Sequence, residues 1–251
     1  MRVANNIFYR SILIVFLVSF IQTSIAQNSS DTEGWSSIEV GFNISDKLSF
    51  SASEHLRYRN KISSLSTYFT QLETSYELFK DFNLGGGVRF IRENDDVGNI
   101  QGLETHFRYQ FNVSYKHDIK MLTLFYRLRY QHKNELGIAE DDGNIPNEYI
   151  RFRLGLGYKF INPNLGIRLK GELFNQVQKE NLENGFNRYR LSFETYKKFK
   201  NIGKFTLFYG FQKNFNRIEL KPKAILGLKY KYSFDFTKSK NQKIKKLNNK
   251  F

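Results

Sequence analysis

The segment "HFRYQFNVSYK" (106–116) alternates without a break. Phe107, Tyr109, Phe111, Val113 and Tyr115 fall on one parity; His106, Arg108, Gln110, Asn112, Ser114 and Lys116 fall on the other. Successive side chains of a strand point to opposite faces, so a period of two specifies a strand with one apolar and one polar face. The pattern recurs down the chain, with strands expected near 36–45, 48–60, 66–78, 82–93, 104–116 and 121–133. Others are expected near 148–159, 165–177, 187–199, 204–216 and 223–236, and no helical periodicity interrupts them. Most span about 10–14 residues, longer than the usual globular strand and long enough to cross a bilayer at a tilt.

The two parities differ consistently. One face collects Leu122, Leu124, Tyr126, Leu128 and Tyr130, then Ile150, Phe152, Leu154, Leu156 and Tyr158, then Leu226, Leu228, Tyr230, Tyr232 and Phe234. Tyrosines recur near strand ends (Tyr58, Tyr76, Tyr115, Tyr130, Tyr158), as in an aromatic girdle at the headgroup level of a membrane. The other face carries Arg57, Arg59, Arg89, Arg108, Arg127, Arg129, Arg151, Arg153, Arg168, Arg188 and Arg190, with Lys116, Lys159, Lys170, Lys229 and Lys231. Against these sixteen cations stand seven acids: Glu39, Glu73, Glu77, Glu93, Glu172, Glu194 and Asp235. An Arg or Lys facing lipid at the midplane costs about 2–4 kcal/mol. In a membrane the charged face therefore points into the lumen. Glu54 falls on the apolar parity, which predicts a bulge in its strand.

Connections sort by length. "SDK", "FKD", "HDIK", "INPN" and "NIG" alternate with "KISSL", "NDDVGNIQGL", "NELGIAEDDGNIPN", "QKENLENGF" and "RIELKP". Short turns at one end and longer loops at the other is the layout of an outer-membrane barrel, with periplasmic turns and extracellular loops. A soluble barrel or sandwich explains the alternation equally well, but neither the loop sorting nor the strand length. The expected fold is an all-β, antiparallel transmembrane β-barrel of about 10–12 strands. Eleven segments are visible, and single-chain bacterial barrels close with an even number, so ten or twelve is the expectation.

The first 26 residues read as a secretory signal peptide: Arg2 and Arg10 precede the apolar run 12–21, and Ser24 and Ala26 place small residues before a cleavage between Ala26 and Gln27. A polar leader (27–35), the barrel (36–236) and a basic tail (237–251) with six lysines and no acid complete the expected organisation. The chain lacks cysteine, which excludes disulfides and thiolate metal sites. Its net charge of +15 invites a nucleic-acid reading, but no basic helix supports one, and an exported chain rarely meets nucleic acid.

Several motifs resemble an uncharacterised outer-membrane β-barrel family, domain of unknown function 2490, seen mainly in Bacteroidota. They are "GWSSIEVGF" with Trp35, "SEHLRYR" with Glu54, Arg57 and Arg59, "EYIRFRLGLGYKF" with Arg151 and Arg153, and "KGELFNQ" with Glu172 and Asn175. "FNRYRLSFETYKKF" with Arg188 and Arg190, "FTLFYGFQ" and "AILGLKYKYSF" complete the set. The resemblance implies a barrel in the outer membrane of a Gram-negative bacterium and names no activity.

Chemistry beyond the basic ladder is sparse. Ser53 and His55 share a parity and are the basis of a lesser, lipid-modifying hydrolase reading, but no orienting group or oxyanion hole accompanies them. Glu140, Asp141 and Asp142 lack the spacing of a dedicated Ca²⁺ loop. No cofactor, metal or catalytic residue is expected, and the protein reads as a non-enzyme. The ladder has two readings. In one, arginines pair with Glu73, Glu93, Glu172 and Glu194 and fill the bore of a closed structural or surface-interaction barrel. In the other, cationic rings form a narrow pore or binding barrel for small anionic solutes. About 10–12 strands is near the size at which side chains fill the interior, so a filled or narrow lumen is expected ahead of an open channel. Beyond these solutes, the expected partner is outer-membrane lipid.

Overall fold

A computed structural model describes residues 31–95, 102–139, 144–160, 164–177, 184–215 and 221–237. The signal segment with its boundary between Ala26 and Gln27, the acidic run 140–142 and the tail after Thr237 lie outside these residues. Eleven strands follow one another: β1 (Asp31–Asn43), β2 (Leu48–Arg59), β3 (Ser64–Phe79), β4 (Phe82–Asp95), β5 (Gly102–Ile119) and β6 (Leu122–Glu135). Then come β7 (Asn147–Lys159), β8 (Leu165–Gln176), β9 (Gly185–Phe199), β10 (Gly203–Asn214) and β11 (Lys223–Asp235). Each pairs with its neighbours in sequence, and β1 pairs with β11 to close a barrel.

The closure corrects the expected even count. With eleven up-and-down strands the first and last run the same way, so the seam must be parallel. It is so paired along its full length, from Asp31 opposite Lys223 to Asn43 opposite Asp235. A parallel ladder is slightly weaker per residue than an antiparallel one. Here the seam is reinforced on its inner side by Lys223 donating to Glu33 at 2.6 Å and Lys231 to Glu39 at 2.5 Å. On its outer side Phe42 stacks on Phe234 with centroids 5.6 Å apart. The first strand also begins earlier than expected: Asp31 to Trp35, assigned above to the leader, are wall residues.

The short connections 44–47, 80–81, 120–121, 160–164 and 200–202 lie at one mouth, which we call the short-turn end. The other connections lie at the opposite mouth, the long-loop end, and reach their greatest length at 136–146. The first of these, 60–63, is a tight turn rather than a long loop. Asn60, Lys61 and Ile62 all have positive φ, and the Asp31 carboxylate accepts from the Lys61 amide at 3.1 Å. β1 enters the wall at the long-loop end, and β11 leaves it at the short-turn end.

The wall is inside-out relative to a soluble protein. Phe111 is 61% exposed and Leu207 59%, both on the outer face, whereas among the described residues sixteen buried side chains are polar or charged and only four are hydrophobic. In the 106–116 segment, His106, Arg108 and Gln110 are buried in the lumen while Phe111, Val113 and Tyr115 face out. Glu54 remains on the outer face, where its carboxylate accepts from the Thr70 hydroxyl at 2.7 Å. The predicted irregularity lies further along, between Arg57 and Tyr58, where Ser66 of β3 is the extra residue. It therefore cannot turn Glu54 inward.

Two outcomes test this wall. Ser36→Cys with Leu228→Cys, paired in register across the seam, is expected to form a disulfide visible as faster migration of unreduced, heated protein. Failure of that pair, with Leu207→Cys and Leu228→Cys crosslinking across β10 and β11, refutes the parallel seam. Glu54→Leu, which removes a charge from the apolar face, is expected to raise unfolding stability in lipid vesicles by about 1 kcal/mol.

Candidate functional site

Inward side chains from all eleven strands meet in a narrow bore and form two chemically different zones. The first is a belt of carboxylate-centred networks. Glu172 on β8 is 4% exposed and accepts from Arg127 at 2.8 Å, Arg151 at 3.0 Å and Arg153 at 2.9 Å. Glu194 on β9 lies 2.6 Å from Lys170, 3.1 Å from Lys229 and 3.7 Å from Arg168. Glu73 on β3 accepts from Gln110 at 2.5 Å and lies 3.4 Å from Arg129. The Gln110 carbonyl in turn accepts from Arg108 and Arg129, each at 2.8 Å. Gly87 of β4 leaves room for this node, since a Cβ there would lie 2.8 Å from the Glu73 side chain.

The second zone lies in the long-loop half. A cavity of about 260 Å³ is lined by Arg57, Arg89, Arg108, Arg151, Arg188, Arg190 and Lys133, with Glu93 as its one carboxylate. Glu93 is engaged by Lys133 at 2.9 Å, and Arg151 by Glu172. Among the described residues, Arg57, Arg89, Arg108, Arg188 and Arg190 have no carboxylate within ion-pair distance. Neutral acceptors stand in. Arg89 directs its Nε to the Gln71 carbonyl at 2.8 Å, and Arg190 its Nε to the Gln212 carbonyl at 3.0 Å. Aromatic rings hold the guanidinium groups from behind. Arg89 and Arg57 lie 3.7 and 4.9 Å from the centre of Phe69. Arg151, Arg188 and Arg190 lie 4.4, 4.5 and 5.3 Å from that of Phe174. Trp35 joins the two groups, with Arg57 at 4.1 Å and Arg190 at 4.8 Å. Such contacts stabilise a guanidinium without neutralising it. A further cavity of about 260 Å³ in the short-turn half is lined mainly by serines, Asn43, Asn112, Glu39, Glu73, Arg127, Arg129 and Lys231.

Of the remaining ladder positions, Arg59 donates to the Asn94 carbonyl at 3.1 Å, and Arg168 lies over Phe125 at 4.4 Å. Sequence reasoning missed the lumenal aromatics. Phe69 and Phe174, 2% and 3% exposed, are apolar residues on the polar parity of their strands, and that inversion was the available signal. It also missed Glu104, His106 and Glu135, whose potential ligand atoms lie within 4.8 Å of one another near the long-loop end. Only the β5–β6 register, His106 opposite Glu135, brings them together. Ser53 Oγ and His55 Nε2 lie 3.0 Å apart, but inside the lumen, with the ring stacked on Phe69. No carboxylate orients that imidazole among the described residues.

The family described as "Protein of unknown function (DUF2490)" matches residues 32–241. The chain belongs to that family. The match takes in all but the first residue of the eleven-stranded wall, so the seam and both lumenal zones are parts of a DUF2490 domain. Among curated proteins none matches. Among solved structures, the chain is similar to outer-membrane expressed OmpT of Vibrio cholerae at 10% identity and TM-score 0.39. That likeness covers 66% of this chain and 54% of OmpT, so this DUF2490 member spans about half of OmpT's length. It is similar to the NanC porin at 13% identity and TM-score 0.42, over 72% of this chain and 86% of that one. The architecture is carried by the strand pairing itself, not by these distant likenesses.

Glu172→Gln, which leaves Arg127, Arg151 and Arg153 without their carboxylate, is expected to destabilise the barrel by about 3 kcal/mol. The measurement is urea unfolding followed by heat-modifiable mobility, and an unchanged midpoint counts against the belt.

Proposed function

We propose that this is a non-enzymatic barrel of a Gram-negative outer membrane that admits small anionic solutes from its long-loop end and holds them in the arginine chamber. One observation carries the reading: five arginines converge on a single cavity with amide carbonyls and rings, rather than carboxylates, as their partners. Burying a cation without a counter-charge is unfavourable, and an entering anion relieves that cost. The apolar outer face and strands of 12 residues or more support placement in a bilayer. Arg127, Arg129, Arg151 and Arg153 share the charges of Glu172 and Glu73, so the five chamber arginines without a carboxylate partner carry the larger uncompensated charge.

A closed barrel without transport is the second reading, and the belt favours it. Glu172 with its three arginines and the Glu73–Gln110–Arg129 node stand between the chamber and the short-turn cavity, and in this reading they close the way between the two. The hydrolase reading is weakest, because Ser53 is buried in the lumen at 7% exposure, away from any lipid ester.

Planar-bilayer recording separates the first two readings. Passage is expected to give small anion-selective conductance steps, with selectivity falling toward unity in Arg57→Gln/Arg190→Gln. A silent or cation-selective barrel refutes passage.

A further inference from the structure

Resting on the anion-binding reading above, we infer that the chamber selects multivalent oxyanions, compact solutes carrying two or more acidic groups, over monovalent ones. Charge gives the first reason. A monovalent anion would neutralise one of the five guanidinium groups that lack a carboxylate within ion-pair distance, leaving the other four, which are buried or half-buried, uncompensated. In the belt, three converging arginines share one carboxylate, Glu172; at the same ratio the five chamber arginines call for about two acidic groups rather than one. In the chamber, glutamine occupies the equivalent role at Gln71 and Gln212, so the charge is oriented but retained.

Placement gives the second reason. Arg57 and Arg89 gather around Phe69 on β3, whereas Arg188 and Arg190 gather around Phe174 on β8. These strands are five apart in an eleven-membered ring, so the two clamps stand on opposite walls of one cavity. A ring beneath a guanidinium leaves its in-plane N–H groups available, and a planar fork of this kind matches carboxylate or phosphate oxygens. Arg108 and Arg188 each retain a buried Nε without a hydrogen-bond partner. A solute with acidic groups at two ends can meet both clamps at once; a single carboxylate can meet one. The shared chemistry is the multivalent oxyanion, and polycarboxylates and polyphosphates both satisfy it.

The test uses the purified full-length barrel in detergent with EDTA, at fixed pH and ionic strength, titrated calorimetrically with two series. Acetate, succinate and citrate form one; phosphate, pyrophosphate and tripolyphosphate form the other. Affinity is expected to rise about tenfold or more with each added acidic group in at least one series, and the steeper series identifies the source. Arg57→Gln and Arg188→Gln, one from each wall, are each expected to reduce the preference for the highest-valence member by about tenfold. Using two separate variants keeps the test valid if one does not fold, with heat-modifiable mobility reporting folding. Equal affinity across both series overturns the inference while leaving anion binding intact. Binding of none of these anions overturns both.

Discussion

Closing eleven strands into a tube creates a bore narrow enough for long side chains from facing walls to touch. In such a tube, alternation sends every second residue outward to an apolar surface, and the rest must satisfy one another across the lumen. Each polar atom placed inside needs a partner from another strand or from solvent, because an unpartnered polar group is costly in a confined, poorly hydrated space. The barrel answers this demand in two ways. In the belt, carboxylates meet guanidinium groups directly; in the chamber, amide carbonyls and ring faces position them while leaving their charge in place.

The contrast between glutamate and glutamine divides the lumen into two kinds of site. Glu172 collects three arginines into a compact node in which one negative charge is shared by three guanidinium groups. Gln71 and Gln212 accept from Arg89 and Arg190 without cancelling their charge. Trp35 lies between Arg57 and Arg190 and makes the arc continuous from β1 toward both clamps. The arc crosses the closing seam, so the integrity of the wall and the shape of the chamber depend on the same residues.

Much of this was legible in the sequence, and the limits have physical causes. A period of two assigns faces residue by residue, so the inward positions of Arg108, Arg129 and Arg151 follow from local pattern alone. Pairing partners do not: Arg127 and Glu172 are 45 residues apart and meet only through the curvature of the wall. The eleven segments are visible in the sequence, but the even count usual for single-chain bacterial barrels points away from the parallel closure that an odd count demands. Phe69 and Phe174 break the polar parity and looked like ordinary strand residues until their arginine neighbours were placed beside them. Glu54 breaks the apolar parity in the opposite sense, and Thr70 on the next strand, rather than a bulge, accommodates it.

The parallel seam also sets an order of events. Every other strand pair is joined through a connection of eleven residues or fewer, so it closes at little entropic expense. The seam instead joins partners about 190 positions apart, as in Lys223 with Glu33 and Lys231 with Glu39, and it has no hairpin to align it. Loop-closure entropy therefore places its zipping after that of the hairpin ladders. Its register must be read from lysine–glutamate pairs and side-chain fit rather than from a turn. In this barrel the two strands most distant in sequence meet along the whole length of the wall, and only side chains tell them how to align.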